Sequence, residues 1–232
     1  VSIIGALVSI VYNVFFMRGE EGFRRAESFS KLIFILCTLT LMFRRPDGVI
    51  ITGFITLLLG LYYPGMEWAL STLVLTSILG AYMGLSTLLS NFLGWSSLSI
   101  FQVFMVVVRT ISFSTTIIFI VAILSPRALS NILRKIGLKK LVVHIPILIW
   151  RLIPYGMKWF TESLMIGSLK NERVTTRIPV VVAGVIEIGQ YLEEYSYYRL
   201  NSEMKKPIVL VKEEYTPDTI LIVVSFLMLL LL

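Results

Sequence analysis

Side chains that can move protons, hold a metal or attack an electrophile are scarce in this 232-residue chain. His144 is its single histidine, and no acidic or thiol residue stands at helical spacing from it. A zinc site or a histidine-based triad therefore lacks its other members. Cys37 is the single cysteine and lies in an apolar run. That suits a small buried hydrophobe and leaves no disulfide framework. Glu193 and Glu194 are adjacent, and neighbours on a helix point about 100° apart, so the pair does not converge on one site. Glu67 follows a turn and is isolated. No Gly-x-x-x-x-Gly-Lys-[Ser/Thr] loop occurs, so nucleotide hydrolysis is not expected here. The sequence predicts a non-catalytic protein with no cofactor and no metal.

What remains is charge placed at helix ends. Residues 151–200 hold two consecutive helical patterns. The first opens Arg151-Leu152-Ile153-Pro154 and ends Ser168-Leu169-Lys170-Asn171. The second begins near Ile178 and ends Tyr197-Tyr198-Arg199-Leu200. A cation is favoured at a helix C-terminus, where unpaired carbonyls leave partial negative charge. Two cationic tips in succession also suit docking on a separate soluble subunit. Lys170 and Arg199, flanked by Leu169, Asn171, Tyr198 and Leu200, are the candidate docking residues. Arg109 is a candidate intramembrane functional residue, because an arginine inside an apolar run is costly and faces protein or water. Snorkelling or a structural pairing also accounts for it.

The elements that position these residues belong to a strongly apolar chain. It is 56% hydrophobic and 15% charged, where a soluble domain has about 25% charged residues. The net charge of +7 fits basic loops on one membrane face. No interleaving of basic and aromatic residues suggests a base-stacking platform, so no nucleic acid partner is expected. Residues 1–17 are apolar, marginal in length for a span, and without the features of a signal peptide. Residues 18–31 form a polar loop carrying Arg18, Arg24, Arg25 and Lys31. Apolar runs follow at 32–43, 49–63, 68–89 and 98–124, and again at 219–232. Ser125-Pro126 breaks the fourth run, and a short basic helix over 127–136 stops at Gly137.

The spacing then predicts a long helix over 141–170, interrupted or bent near Pro146 and Pro154. His144, Arg151, Tyr155, Lys158 and Glu162 share one of its faces. In the next helix, 178–200, Ile178, Val181, Val185, Ile188, Leu192 and Tyr195 form an apolar stripe, with Glu187, Gln190, Glu193, Glu194 and Tyr197 towards its other sides. Such a pair packs antiparallel or crossed, along a membrane surface or against other helices.

Charge bias gives the sidedness. Fourteen of the 21 Lys and Arg residues fall in 125–216, against eight acidic residues. Four runs separate this stretch from the basic loop at 18–31, so both belong in the cytoplasm under the positive-inside rule. Arg44-Arg45 then falls outside, against the rule. The expected fold is an all-α membrane protein with about five to six membrane helices and two to three long cytoplasmic or interfacial helices. Its expected division is 1–31, an apolar segment and basic loop; 32–124, four spans; 125–216, a cytoplasmic helical region; and 217–232, a final span.

Taken in order, these residues resemble the transmembrane coupling subunit (T-component) of energy-coupling factor transporters, ABC-type importers of vitamins and of cobalt or nickel ions. The resemblance covers about Ser28 to the C-terminus and is best from Ser125 to Leu200. Ser30-Lys31-Leu32, Ser125-Pro126, Ile136-Gly137-Leu138 and Arg151-Leu152-Ile153-Pro154 resemble that family's Thr-Lys-Leu, Ser-Pro, Leu-Gly-Leu and Arg-Phe-Ile-Pro landmarks. Leu169-Lys170-Asn171 and Tyr198-Arg199-Leu200 stand where the family carries two Ala-Arg-Gly-like tripeptides at the tips of its coupling helices. Here the first keeps only the positive charge, on a lysine without the guanidinium fork; the second keeps its arginine between bulky neighbours. The resemblance implies two ATP-binding ATPase subunits gripping these tips and a separate substrate-binding membrane subunit (S-component). A non-ABC polytopic membrane scaffold or a channel subunit is the alternative reading.

Overall fold

The computed structural model describes residues 3–15, 22–124, 126–138, 140–170, 174–201 and 215–232. The described residues form helices joined by turns, with no strand among them. In chain order the helices are α1 (Ile3–Phe15), a single 3-10 turn (Gly22–Arg25), α2 (Ser28–Arg44), α3 (Gly48–Tyr62), α4 (Met66–Phe92), α5 (Ile100–Ile123), α6 (Pro126–Lys135), α7 (Lys140–Leu169), α8 (Val174–Asn201) and α9 (Tyr215–Leu230). The chain divides into two compact units, one of residues 9–125 and 212–232, the other of residues 1–8 and 126–211.

In the first unit α5 is central, packed along both α3 and α4, while α2 lies against α9 and α3. Close contacts fix the register. Gly60 meets the indole of Trp68, so α3 and α4 run antiparallel. Gly53 faces Ser112, and Thr56 Oγ1 lies 3.4 Å from Thr116 Oγ1, so α3 and α5 run parallel. Asp218 Oδ1 accepts from the Glu27 N–H at 2.6 Å, and Arg45 donates to the Leu231 carbonyl oxygen at 2.6 Å, so α2 and α9 start together and end together. The end where α2 and α9 begin also holds the end of α5, because Arg24 Nε donates to the Ala122 carbonyl oxygen at 3.0 Å. Both chain connections of this unit to residues 126–211 therefore leave from one end.

The core gathers around Phe119, which is fully buried. The rings of Phe23, Phe34 and Trp68 meet it edge-on at centroid distances of 6.0, 5.9 and 5.8 Å. These geometries put positive ring edges on a negative ring face. The Trp68 indole N–H donates to the Val14 carbonyl oxygen at 3.0 Å, which satisfies its polar atom within the core. Elsewhere the surface is apolar: Phe43, Phe54, Tyr82, Leu85 and Phe104 are all well exposed.

Of the five to six membrane helices expected, helix lengths show two. Among the described residues only α4, with 27 residues, and α5, with 24, are long and apolar enough to cross a membrane. The 17, 15 and 16 residues of α2, α3 and α9 give lengths of about 22–26 Å, short of a hydrocarbon core of about 30 Å. In the α3–α4 register Gly48 falls level with Gly80. The α4–α5 hairpin therefore extends beyond the start of α3 by the stretch from Gly80 to Phe92, about 18 Å. Its tip is bracketed by Asn91, whose side chain donates to the Leu98 carbonyl oxygen at 2.8 Å and accepts from the Leu98 N–H at 3.2 Å. A capping box between Ser99 and Gln102 then starts α5.

The second unit holds α6, α7 and α8, with α7 packed on both of the others. Gly137, at φ +84°, follows the end of α6 in a conformation that favours glycine. The buried Ser130 hydroxyl donates to the Val143 carbonyl oxygen at 2.6 Å and ties α6 to the first turn of α7.

Candidate docking ends of the long helices

α7 runs unbroken for 30 residues through Pro146 and Pro154, about 45 Å. α8 runs for 28 residues through Pro179. Trp159 and Gly184 hold the two together. A Cβ on Gly184 would lie 2.8 Å from Trp159 Cε3, so only glycine lets the indole approach the α8 backbone. Trp159 stands ten residues before the end of α7 and Gly184 ten residues after the start of α8. Equal distances from the link make this a helical hairpin.

Lys170 follows the last residue of α7, Leu169. Its N–H donates to the Ile166 carbonyl oxygen at 3.2 Å and closes the final turn, and its side chain is exposed. Asn171 lies outside the described residues. Tyr198, Arg199 and Leu200 occupy the last turn of α8, which ends at Asn201. Tyr198 is 73% exposed, with its ring edge-on to Tyr197 at 6.2 Å. Lys170 and Arg199 are not brought together. The length of α8 separates the two helix ends, on the order of 40 Å at 1.5 Å per residue. One site does not span that distance; two separate contacts do.

The faces between these ends are mixed. Lys158 and Glu162 pair at 3.7 Å, one helical turn apart and well exposed, which contributes a few tenths of a kcal/mol. The Tyr191 hydroxyl donates to Glu187 Oε1 at 3.5 Å on the exposed side of α8. Glu187, Gln190, Glu193, Glu194 and Tyr197 are all exposed. On the N-terminal half of α7, Val142, Ile145, Ile149 and Ile153 also form an exposed stripe, at helical spacings of three and four. Such an exposed apolar stripe suits a bilayer surface or a partner helix.

Arg109 belongs to the other unit. In the α3–α5 register it falls level with the first turn of α3, near the end of that helix rather than its middle. It is exposed, and it has no ion pair with any described residue.

Arg45, which the sequence places on the wrong side for its charge, caps α9. Its guanidinium donates to a carbonyl at that helix's C-terminus, where a cation is favoured. Among the described residues no group of three His, Cys, Asp or Glu side chains converges as metal ligands do. The Trp159–Gly184 contact is the feature of the hairpin that sequence reasoning missed, although Gly184 inside a helical pattern marks such a close approach. No family model, curated protein or solved structure matches this chain.

Proposed function

We propose that this chain is the transmembrane coupling subunit of an energy-coupling-factor type ABC importer for vitamin or transition-metal uptake. It passes movements of two ATPase subunits to a separate substrate-binding membrane subunit. The observation that carries the reading is the α7–α8 hairpin, whose two C-terminal ends each bear a cation and stand a full helix apart. Two ATPases need two grips, and one rigid hairpin delivers both.

Other features support the reading. The chain leaves the apolar unit and returns to it at one end of that unit, as a cytoplasmic insertion between two spans requires. The exposed isoleucine stripe of α7 suits a hairpin lying along the inner membrane face beneath a second membrane subunit. Lying flat is essential: a hairpin on the membrane normal would carry its two tips to opposite faces. In this reading α4 and α5 cross the cell membrane fully, α2, α3 and α9 with α1 complete five to six membrane helices, and the 125–216 region faces the cytoplasm.

Each cation meets a carboxylate in an ATPase groove. The test is affinity purification of the tagged chain in mild detergent, with mass spectrometry for proteins bearing a nucleotide-binding loop. Two such ATPases and a small membrane subunit are the expected companions. Arg199→Glu should abolish their recovery, and Lys170→Glu should lower it about tenfold or more, since a charge-assisted contact becomes a repulsion. A lone oligomer of this chain, or unchanged recovery in both variants, overturns the proposal and favours a scaffold or channel.

A further inference from the structure

The unit built on α2–α5 and α9 has two sides of unequal apolar length. No Asp, Glu, Lys, Arg or His occurs between Glu67 and Arg109, so the α4–α5 hairpin is uncharged over residues 68–108. Along it Leu85, Leu88, Phe92, Phe101 and Phe104 are exposed, and Trp95 at the tip is 80% exposed. α2 and α3 are different. They are joined by Arg44, Arg45, Pro46 and Asp47, all exposed. This turn stands level with Gly80, about 18 Å short of the end of α4. Gly80 also meets Ile111 and Val107 of α5, which brings the exposed Arg109 to the same level. Arg109 lies three and seven residues before Ser112 and Thr116, so it shares the face of α5 that meets α3.

A flat bilayer does not suit both sides. Counted from Trp68, a hydrocarbon core of about 30 Å ends near Leu88. The charged level then lies about 12 Å inside the core, where ionised side chains are costly. Raising the unit until the charges reach the boundary lifts the exposed apolar surface of the hairpin into water, where a patch of that kind calls for cover. It also draws Glu27 and Asp218, at the other end of α2, towards hydrocarbon. A bilayer meets a short apolar length by thinning.

The charges at this level say what meets them. Three are arginines, and Asp47 is the one acid of the turn. Among the described residues no carboxylate lies within ion-pair distance of Arg44, Arg45 or Arg109. Arg45 donates to the Leu231 carbonyl oxygen, and the side chains of Arg44 and Arg109 have no partner among the described residues. A guanidinium fork matches phosphate oxygens, and in a thinned leaflet lipid phosphates are the anions at this depth. We propose that the leaflet on the side of the α2–α3 turn steps down beside α2 and α3, where its lipid phosphates pair with Arg44 and Arg109. The α4–α5 hairpin stands in that leaflet at full depth. Such a step requires this unit to lie in a bilayer and is independent of the importer assignment, so the depth order below and the ATPase purification fail separately.

The test is nitroxide depth measurement on the full chain with Cys37→Ser, in phosphatidylcholine–phosphatidylglycerol vesicles and phosphate-free buffer. Single labels at Asp47→Cys, Leu85→Cys and Phe104→Cys are compared for relaxation by oxygen, which concentrates in hydrocarbon, and by a water-soluble nickel chelate. Leu85 and Phe104 each stand about 7 Å nearer the tip than the charged level. The expected order is nevertheless inverted, with the label at residue 47 meeting the nickel chelate at least fivefold more than the other two. Strong nickel contact at all three sites means a flat boundary at the charges and overturns the step. Strong oxygen contact at all three overturns it as well. In the Asp47→Cys chain, Arg44→Gln with Arg109→Gln should lower nickel contact at least threefold, because the leaflet loses its hold, while Arg44→Lys with Arg109→Lys should keep it. Unchanged nickel contact in the glutamine pair overturns the phosphate pairing.

Discussion

Lys31 is 1% exposed, and its ammonium donates to the Arg24 carbonyl oxygen at 2.7 Å. Arg24 in turn donates to the carbonyl oxygens of Ala122 at 3.0 Å and Phe15 at 3.3 Å. The first lies at the end of α5 and the second at the end of α1, where helix carbonyls lack partners of their own. Two cations thus knit together the turn before α2 and two helix ends.

Lys31→Met keeps the length of the side chain and removes its charge. Hydrogen bonds to charged groups contribute about 1.5–3 kcal/mol, and a loss of that size lowers the melting temperature of a chain this long by roughly 3–10 °C. Thermal unfolding in detergent, followed by tryptophan fluorescence, measures it. An unchanged midpoint would mean that the buried ammonium contributes nothing.

The burial of Lys31 also marks where sequence reading stops. The polar residues at 18–31 suggest a loop, but α2 already begins at Ser28, and the stem of Lys31 is apolar enough to enter the core. Its ammonium is satisfied by a fold of the backbone that no periodicity announces. Long apolar runs are legible because they repeat one physical demand: the run at 98–124 is α5 from Ile100 to Ile123, with Leu124 as its cap. The ends of the long helices are legible as well. Lys170 follows α7 directly and Arg199 sits in the last turn of α8. Of the interruption or bend expected at Pro146 and Pro154, α7 shows no interruption, since a proline removes one hydrogen bond and neighbouring turns hold the helix. Nor does composition reveal that α4 and α5 outreach α3. Length relative to a neighbour is a property of register, which depends on which small residues face which partner.

The shared start and shared end of α2 and α9, together with the proposed cytoplasmic side, make a topological prediction. In a Cys37→Ser background, single cysteines replacing Glu27 and Asp218 should react with a membrane-impermeant maleimide only after the membrane is opened. Those replacing Arg44 and Leu231 should react in intact cells. The contacts Glu27–Asp218 and Arg45–Leu231 demand that each pair label from the same side. Labelling of one pair from opposite sides contradicts the parallel pairing. Labelling of the first pair alone in intact cells keeps the pairing and inverts the chain.

The approach of Trp159 to Gly184 predicts a variant that separates hairpin packing from tip charge. Gly184→Val places two methyl groups where the indole lies, which costs about 1–3 kcal/mol of packing strain. Lys170 and Arg199 keep their charge and their places at the ends of their helices. The expected outcome is weaker recovery of the two proposed ATPase partners together, in contrast to single-tip variants. Trp159→Ala in the same chain should restore part of it, because the smaller side chain leaves room for valine. Spin labels at Lys158 and Gln190, both exposed, would report the spreading of the hairpin as a longer and broader distance distribution. An unaltered distance in Gly184→Val would remove this contact from the account.

The last prediction concerns hydroxyls at the centre of α3, α4 and α5. Thr52, Thr56, Thr72, Thr76 and Thr116 are all fully buried, and the register puts Thr56 level with Thr72 and Thr52 level with Thr76. Four of them donate to a carbonyl of their own helix three or four residues back, as Thr56 does to Thr52 and Thr116 to Ser112. Thr72 Oγ1 alone in this set has no partner. A buried hydroxyl without a partner costs about 1–3 kcal/mol, whereas an apolar group of the same shape costs nothing. Thr72→Val should therefore leave stability unchanged or raise it by up to about 2 kcal/mol. Thr56→Val should lower it by about 1 kcal/mol, because it removes a satisfied hydroxyl whose oxygen also lies 3.4 Å from Thr116 Oγ1. Melting temperatures of the two variants and of the double variant measure the difference. Were Thr72→Val the more damaging of the two, the hydroxyl of Thr72 would have to be holding something across the bundle.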